Sequence, residues 1–221
     1  MSKNNTDTIV TFVLDKSESM RIVESETVKG INEYLETLRG DDTPTLLHLM
    51  AFNSKDVDVI YDFEDVSYTK DMTSSNYVPD GLTPLYDSIG QGIRETERYM
   101  KFRPGDWKVI FTIMTDGIEN FSTKYNRQQI LELIAKKEKQ GWLFVYLGAN
   151  QDAWEVAESI GIKRQYAANY DAYGPDVALK TMADSTVRGK FAMRSKRRPR
   201  EMFTEEERVR LLEKKLGIKK S

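Results

Sequence analysis

The chain has 221 residues, with 33 lysines and arginines against 35 aspartates and glutamates, a formal net charge of −2, one histidine and no cysteine. That balance gives no global bias toward nucleic acid or acidic lipid, and the missing thiols exclude cysteine catalysis and disulfides and weigh against nitrogen/sulfur zinc sites. Residues 1–7 are polar, without a charged-then-apolar leader, and no apolar run approaches the ~20 residues that span a bilayer, so a soluble cytoplasmic protein is expected.

The first element is an apolar strand from Thr8 to Leu14 that runs directly into Asp15, Ser17 and Ser19, a D-x-S-x-S segment. Open α/β sheets hold their sites at strand carboxyl ends, so a carboxylate and two hydroxyls there read as oxygen ligands for a hard metal ion. Asp and Ser are equally the residues that start helices. A helix does follow, with Val28, Ile31, Leu35 and Leu38 on one face and Gly40 as its stop. Alone, the segment is compatible with a site or with a strand-to-helix turn.

Leu46 to Phe52 reads as a second strand, and Val57, Val59, Tyr61 and Phe63 then alternate with Asp58, Ile60 and Asp62. The short connection from Asn53 to Asp56 makes a hairpin, hence one antiparallel edge strand. His48 fits a structural role inside an apolar strand. Asp56, Asp58, Asp62, Glu64 and Asp65 read more simply as the wet face of that hairpin than as a calcium site.

Further on, Pro84 suits a first helical position with Thr83 as its N-cap, and Leu85, Ile89 and Ile93 follow at helical spacing. Gly90 and Gly92 lie inside this pattern and suit close helix packing better than a phosphate cradle. The apolar strand from Lys108 to Thr115 ends in Asp116 and Gly117, repeating the pattern at Asp15. If the two strands are parallel neighbours, both carboxylates meet at one rim.

Ile130, Leu133 and Ile134 mark a helix closed by Gly141; Trp142 to Leu147 forms a buried strand; Ala153 to Ile160 is a short helix ending at Gly161. A last edge strand falls within residues 165–173 and a final helix over 174–193. This alternation is the α/β class, a mostly parallel sheet with helices on both faces. Trp107, Trp142 and Trp154 read as packing anchors. Beyond, Arg188, Lys190, Arg194, Lys196, Arg197, Arg198 and Arg200 form a basic run, and Thr204 with Glu207 offers a capping box. The tail helix it opens carries Val209, Leu211, Leu212 and Leu216, with Gly217 as stop and Lys214, Lys215, Lys219 and Lys220 near its end. The division expected is a domain over 1–193, a basic linker over 194–203, and an amphipathic tail helix over 204–221.

Asp15, Ser17 and Ser19, then Thr83, then Asp116 in a T-D-G step, resemble in order and context the metal-ion-dependent adhesion site of von Willebrand factor A (VWA) domains. Thr115 to Ser122 and Leu147 to Ala153 are similar to short stand-alone VWA proteins of bacteria and phages, and the resemblance covers about residues 6–190. It implies a Rossmann-like three-layer αβα sandwich. It also implies a metal held by Ser17 and Ser19 directly, by Asp15 and Asp116 electrostatically, and by Thr83 as a ligand that switches between direct and water-bridged contact. Few protein oxygens favour an ion that keeps waters, so Mg2+ is expected, with Mn2+ or Ca2+ also compatible.

The function so implied is non-catalytic: the metal captures an Asp or Glu presented by a partner protein, with no membrane involved. Two alternatives stand beside it. The basic segment Arg194, Lys196, Arg197, Arg198 and Arg200, near Phe191 and Phe203, could serve a nucleic-acid adaptor. A metal-dependent hydrolase or phosphatase is the other, although the haloacid-dehalogenase pattern needs an Asp where Ser17 stands and no G-x-x-x-x-G-K-[ST] loop occurs.

Overall fold

A computed structural model describes residues 8–150 and 152–213. The expectations for residues 1–7 and for Lys214, Lys215, Leu216, Gly217, Lys219 and Lys220 lie outside the described residues. The strands are β1 (Thr8–Asp15), β2 (Thr45–Phe52), β3 (Val57–Asp65), β4 (Lys108–Thr115), β5 (Leu143–Gly148) and β6 (Ala167–Asn169). The helices are α1 (Glu24–Arg39), α2 (Leu85–Phe102), α3 (Arg127–Lys139), α4 (Ala153–Ser159), α5 (Pro175–Arg194) and α6 (Glu205–Leu212).

The strands form one sheet in the order β3-β2-β1-β4-β5-β6, parallel throughout except for β3. Every residue of β1 is buried, as a central strand covered on both faces must be. Its odd-numbered side chains face α2: Thr11 Oγ1 lies 2.7 Å from Thr96 Oγ1, and a methyl on Gly92 would sit 3.2 Å from Val13. Gly92 thus supplies the close helix approach expected of it. Phe12, on the opposite face, meets the Tyr34 ring of α1 edge-on at 5.5 Å. Tyr34 in turn reaches α5, its hydroxyl 3.1 Å from Thr186 Oγ1.

The hairpin departs from simple alternation. The β2–β3 register shifts twice, between Leu47 and Leu49 and between Leu49 and Met50, and Phe63 takes a left-handed φ of 54°. Such bulges turn side chains to the other face. Val59, expected inward, is consequently exposed while Ile60 is half-buried. Phe63 stacks at 4.2 Å on His48, whose Nε2 lies 2.9 Å from Glu95 Oε2, which accounts for a buried histidine structurally.

Residues 194–203 lie against the domain at several points. Arg194 donates to Thr43 Oγ1 at 2.8 Å, and Arg198 donates to the Glu138 side chain at 3.1 Å and to the Glu138 and Trp142 carbonyls. Lys190 is buried beside Asp41 at 2.5 Å, and Met202 and Phe203 are buried. Four of the seven residues of the basic run, Arg188, Lys190, Arg194 and Arg198, are therefore committed to intramolecular bonds, and Lys196, Arg197 and Arg200 are exposed. The Thr204–Glu207 capping box opens α6 as expected. This helix docks beside β6: Leu211 is buried, its carbonyl accepts from Asp171 N at 2.9 Å, and Arg208 donates to the Ala167 carbonyl at 2.5 Å. Val209 and Leu212 stay exposed. No helix among the described residues is long and apolar enough to cross a membrane.

Candidate metal centre

Because β1 and β4 are adjacent and parallel, their carboxyl ends deliver Asp15 and Asp116 to one rim. Asp15 is fully buried; its Oδ1 accepts from Ser17 N at 2.7 Å and its Oδ2 from Thr115 Oγ1 at 2.5 Å. Ser17 precedes the 3-10 turn Glu18–Val23 and makes no capping bond with its side chain. Its hydroxyl instead lies 3.2 Å from that of Ser19, which donates to Asp116 Oδ1 at 2.7 Å. The segment does lead into a turn, and its two hydroxyls are directed to each other and to Asp116.

The N-cap reading of Thr83 is also corrected. Helix α2 begins at Leu85 with Pro84 in the cap position, and no side chain caps it. Thr83 is one residue too early, and its buried hydroxyl faces the site: a methyl on Gly117 would stand 3.0 Å from Thr83 Oγ1 and 3.7 Å from Asp15 Oδ2. Gly117 therefore leaves open a small space bordered by both oxygens. Asp15, Ser17, Ser19 and Asp116 form one bonded chain of contacts, and Thr83 joins them across this glycine.

Solved structures share this architecture. One is described as von Willebrand factor type A from Catenulispora acidiphila: TM-score 0.61, 12% identity, covering 85% of this chain and 43% of that one. The fold is that of a VWA domain. A second is proximal thread matrix protein 1 from the mussel byssus with a zinc-occupied MIDAS motif: TM-score 0.57, 16% identity, covering 83% of this chain and 48% of that one. A third is manganese-loaded TRAP protein of Plasmodium vivax: TM-score 0.52, 16% identity, covering 80% of this chain and 73% of that one. The chain thus spans less than half the length of the first two. No family model and no curated protein matches it.

Within the VWA fold, the site loops are tied to one another by residues outside the five candidate ligands. The carbonyl of Lys16 accepts from Asp80 N at 2.9 Å and that of Gly81 from Glu18 N at 3.0 Å, joining the first loop to the threonine loop. Asn120 clamps Thr83 from both sides, its Oδ1 accepting from Thr83 N at 2.8 Å and its own N donating to the Thr83 carbonyl at 3.2 Å. Glu119 accepts from Tyr86 N at 2.9 Å, so the loop after Asp116 fixes the start of α2. Tyr77 donates to the Asp15 carbonyl at 2.6 Å, and Asn150 donates to that of Asp116 at 3.4 Å. Asn150 also sits at a left-handed φ of 56°, where Asn is tolerated.

The electrostatics favour a cation. Burial pushes the Asp15 carboxyl up to about 6 against the pull of its hydrogen bonds from Thr115 and Ser17, and Asp116 adds to the rise. Burial likewise raises Asp116, opposed by the hydrogen bond from Ser19. Two poorly solvated carboxylates are relieved by a bound positive ion. The donor set suits a hard one: two carboxylates and three hydroxyls, with no group of three His, Cys, Asp or Glu among the described residues.

Proposed function

We propose that this protein is a non-catalytic binding module that holds a divalent cation, Mg2+ first, through Asp15, Ser17, Ser19, Thr83 and Asp116. The cation captures an Asp or Glu side chain of a partner protein. The observation that carries this reading is the convergence of Ser17, Ser19 and Asp116 beside Asp15, with the Ser17 hydroxyl making no capping bond.

Ser17, Ser19 and Thr83 supply neutral oxygens, which leave the ion's charge largely undiminished for an incoming carboxylate. Asp15 and Asp116 hold it electrostatically from a buried floor. The ion supplies a positive charge with an exchangeable coordination position. The metal-bearing mussel and Plasmodium proteins support a metal here, and the pilus adhesin SpaC of Lactobacillus rhamnosus GG, at TM-score 0.62 and 12% identity, supports a role in attachment.

Calorimetric titration of Mg2+ and Mn2+ into wild type and Asp15→Ala tests the centre, and equal affinity for both proteins would overturn it. Capture of partners with Mg2+, with EDTA and with Asp116→Ala tests the binding role. Partners held through the metal are lost under both perturbations.

A further inference from the structure

Tyr170 follows β6 and continues its pairing, its N donating to the Gly148 carbonyl at 3.0 Å. Gly148 pairs with Thr115, the residue before Asp116, so Tyr170 stands on the same rim as the candidate centre. The ring is 3% exposed, yet its hydroxyl finds no hydrogen-bond partner among the described residues. A buried donor without an acceptor is costly, and natural structures seldom keep one without use.

Tyr77 provides the contrast. It is equally buried beneath the rim, and its hydroxyl is spent on the Asp15 carbonyl at 2.6 Å. Of the other unpaired buried atoms, Thr8 Oγ1 and Thr112 Oγ1 lie within strands, and His48 Nδ1 lies 3.4 Å from Asp62 Oδ1. Asp171 Oδ2 belongs to a carboxylate whose other oxygen accepts from Tyr173 N at 2.8 Å. Tyr170 lies in the field of both site carboxylates. Burial first, then the charges of Asp116 and Asp15, hold its pKa well above 10, so it remains a neutral donor at all ordinary pH values.

We infer that Tyr170 is a positioning residue of the centre, its hydroxyl reserved for the Asp116 carboxylate, directly or across one water, when a divalent cation is bound. This rests on the metal-centre reading above. Ser19 donates to Asp116 Oδ1 at 2.7 Å, which engages one oxygen of the carboxylate and leaves the other for a further donor. A second donor from the same rim would orient that carboxylate, as outer partners of metal ligands do. The residue is invisible to the motif because it comes from the far edge strand, 54 positions after Asp116 in the chain.

The test is Mg2+ titration of wild type, Tyr170→Phe and Tyr61→Phe, with the melting temperature of each protein read in EDTA. Tyr61 is a control remote from the rim, its hydroxyl donating to the Lys70 carbonyl. Tyr170→Phe should bind Mg2+ about tenfold more weakly or worse. Its metal-free melting temperature should match or exceed wild type, because the hydroxyl removed had no partner to lose. Tyr61→Phe should leave affinity unchanged. If wild type binds no divalent ion, the centre itself falls. If wild type binds and Tyr170→Phe binds equally well, only the role of Tyr170 falls. A metal-free Tyr170→Phe that melts well below wild type shows a hydroxyl already engaged, and overturns the inference as well.

Discussion

Lys16 Nζ donates to Asp58 Oδ2 at 2.5 Å, although Lys16 stands in the sequence between two candidate metal ligands. The side chain also pairs with Asp56 and is 4% exposed, whereas those of Asp56 and Asp58 are 57% and 52% exposed. The pair is thus asymmetric: the ammonium is desolvated and its partners are not. Burial works against its charge, but the hydrogen bonds it donates to both aspartates prevail and the Lys16 pKa is raised.

That asymmetry predicts unequal costs. Lys16→Met removes a desolvated charge and leaves two aspartates that water can serve, so it should change stability by no more than about 1 kcal/mol. Asp56→Ala with Asp58→Ala strands the buried ammonium and should cost about 3 kcal/mol. Denaturant unfolding of the two variants checks the order, and a larger loss in Lys16→Met would refute this account.

Metal should stabilise the fold. At a Mg2+ concentration about 100 times its Kd, wild type should gain about 2.7 kcal/mol, and Asp116→Ala should gain nothing. Asp15→Asn should melt above wild type without metal, since a buried charge is replaced by a neutral amide. The same variant should lose the response to Mg2+. Thermal melts with Mg2+ and with EDTA separate these outcomes.

The convergence behind this prediction was legible in the chain because each member ends a strand or opens a loop next to one. Asp15 and Asp116 close apolar runs, and parallel pairing of those runs suffices to bring them together. Thr83 was recognisable only through the order of the motif; its propensity pointed to a helix cap, and the structure gives that position to Pro84. Asn120 lay inside the Thr115–Ser122 resemblance without a role assigned to it, and Tyr77 and Tyr170 carried no local signal, because their roles depend on which loops and edge strands the fold places along one rim. The inward turn of Ile60 was equally hidden, since a bulge is set by how two strands register and not by the alternation of either.

Acid should weaken the fold partly through Glu95. The hydrogen bond with His48 holds its carboxyl below the usual 4.5, outweighing the effect of burial. A depressed carboxyl contributes stability above its unfolded value and loses it as pH falls through its folded value. Wild type should therefore lose stability below about pH 4.5 more steeply than Glu95→Gln, which should be about 1.5 kcal/mol less stable near neutrality. Unfolding measured from pH 7 down to pH 3 reads both; parallel curves would exclude this contribution.

The tail helix should behave as part of the domain. Leu211 is 2% exposed, and Leu211→Ala should cost about 2–3 kcal/mol in a single unfolding transition. Val209→Ala, at an exposed site, should change little. Equal, small effects from both would mean that α6 contributes nothing to stability.

The two outer strands of the sheet have a consequence for how copies of this chain meet. On one side, β3 is broken by two register shifts and lined with exposed Asp58, Asp62 and Glu64; on the other, β6 is three residues long and its Ala167 carbonyl is taken by Arg208. Neither border offers a flat row of free amides and carbonyls on which a second molecule could template a strand. Crowded copies should therefore resist fibril growth and strand exchange.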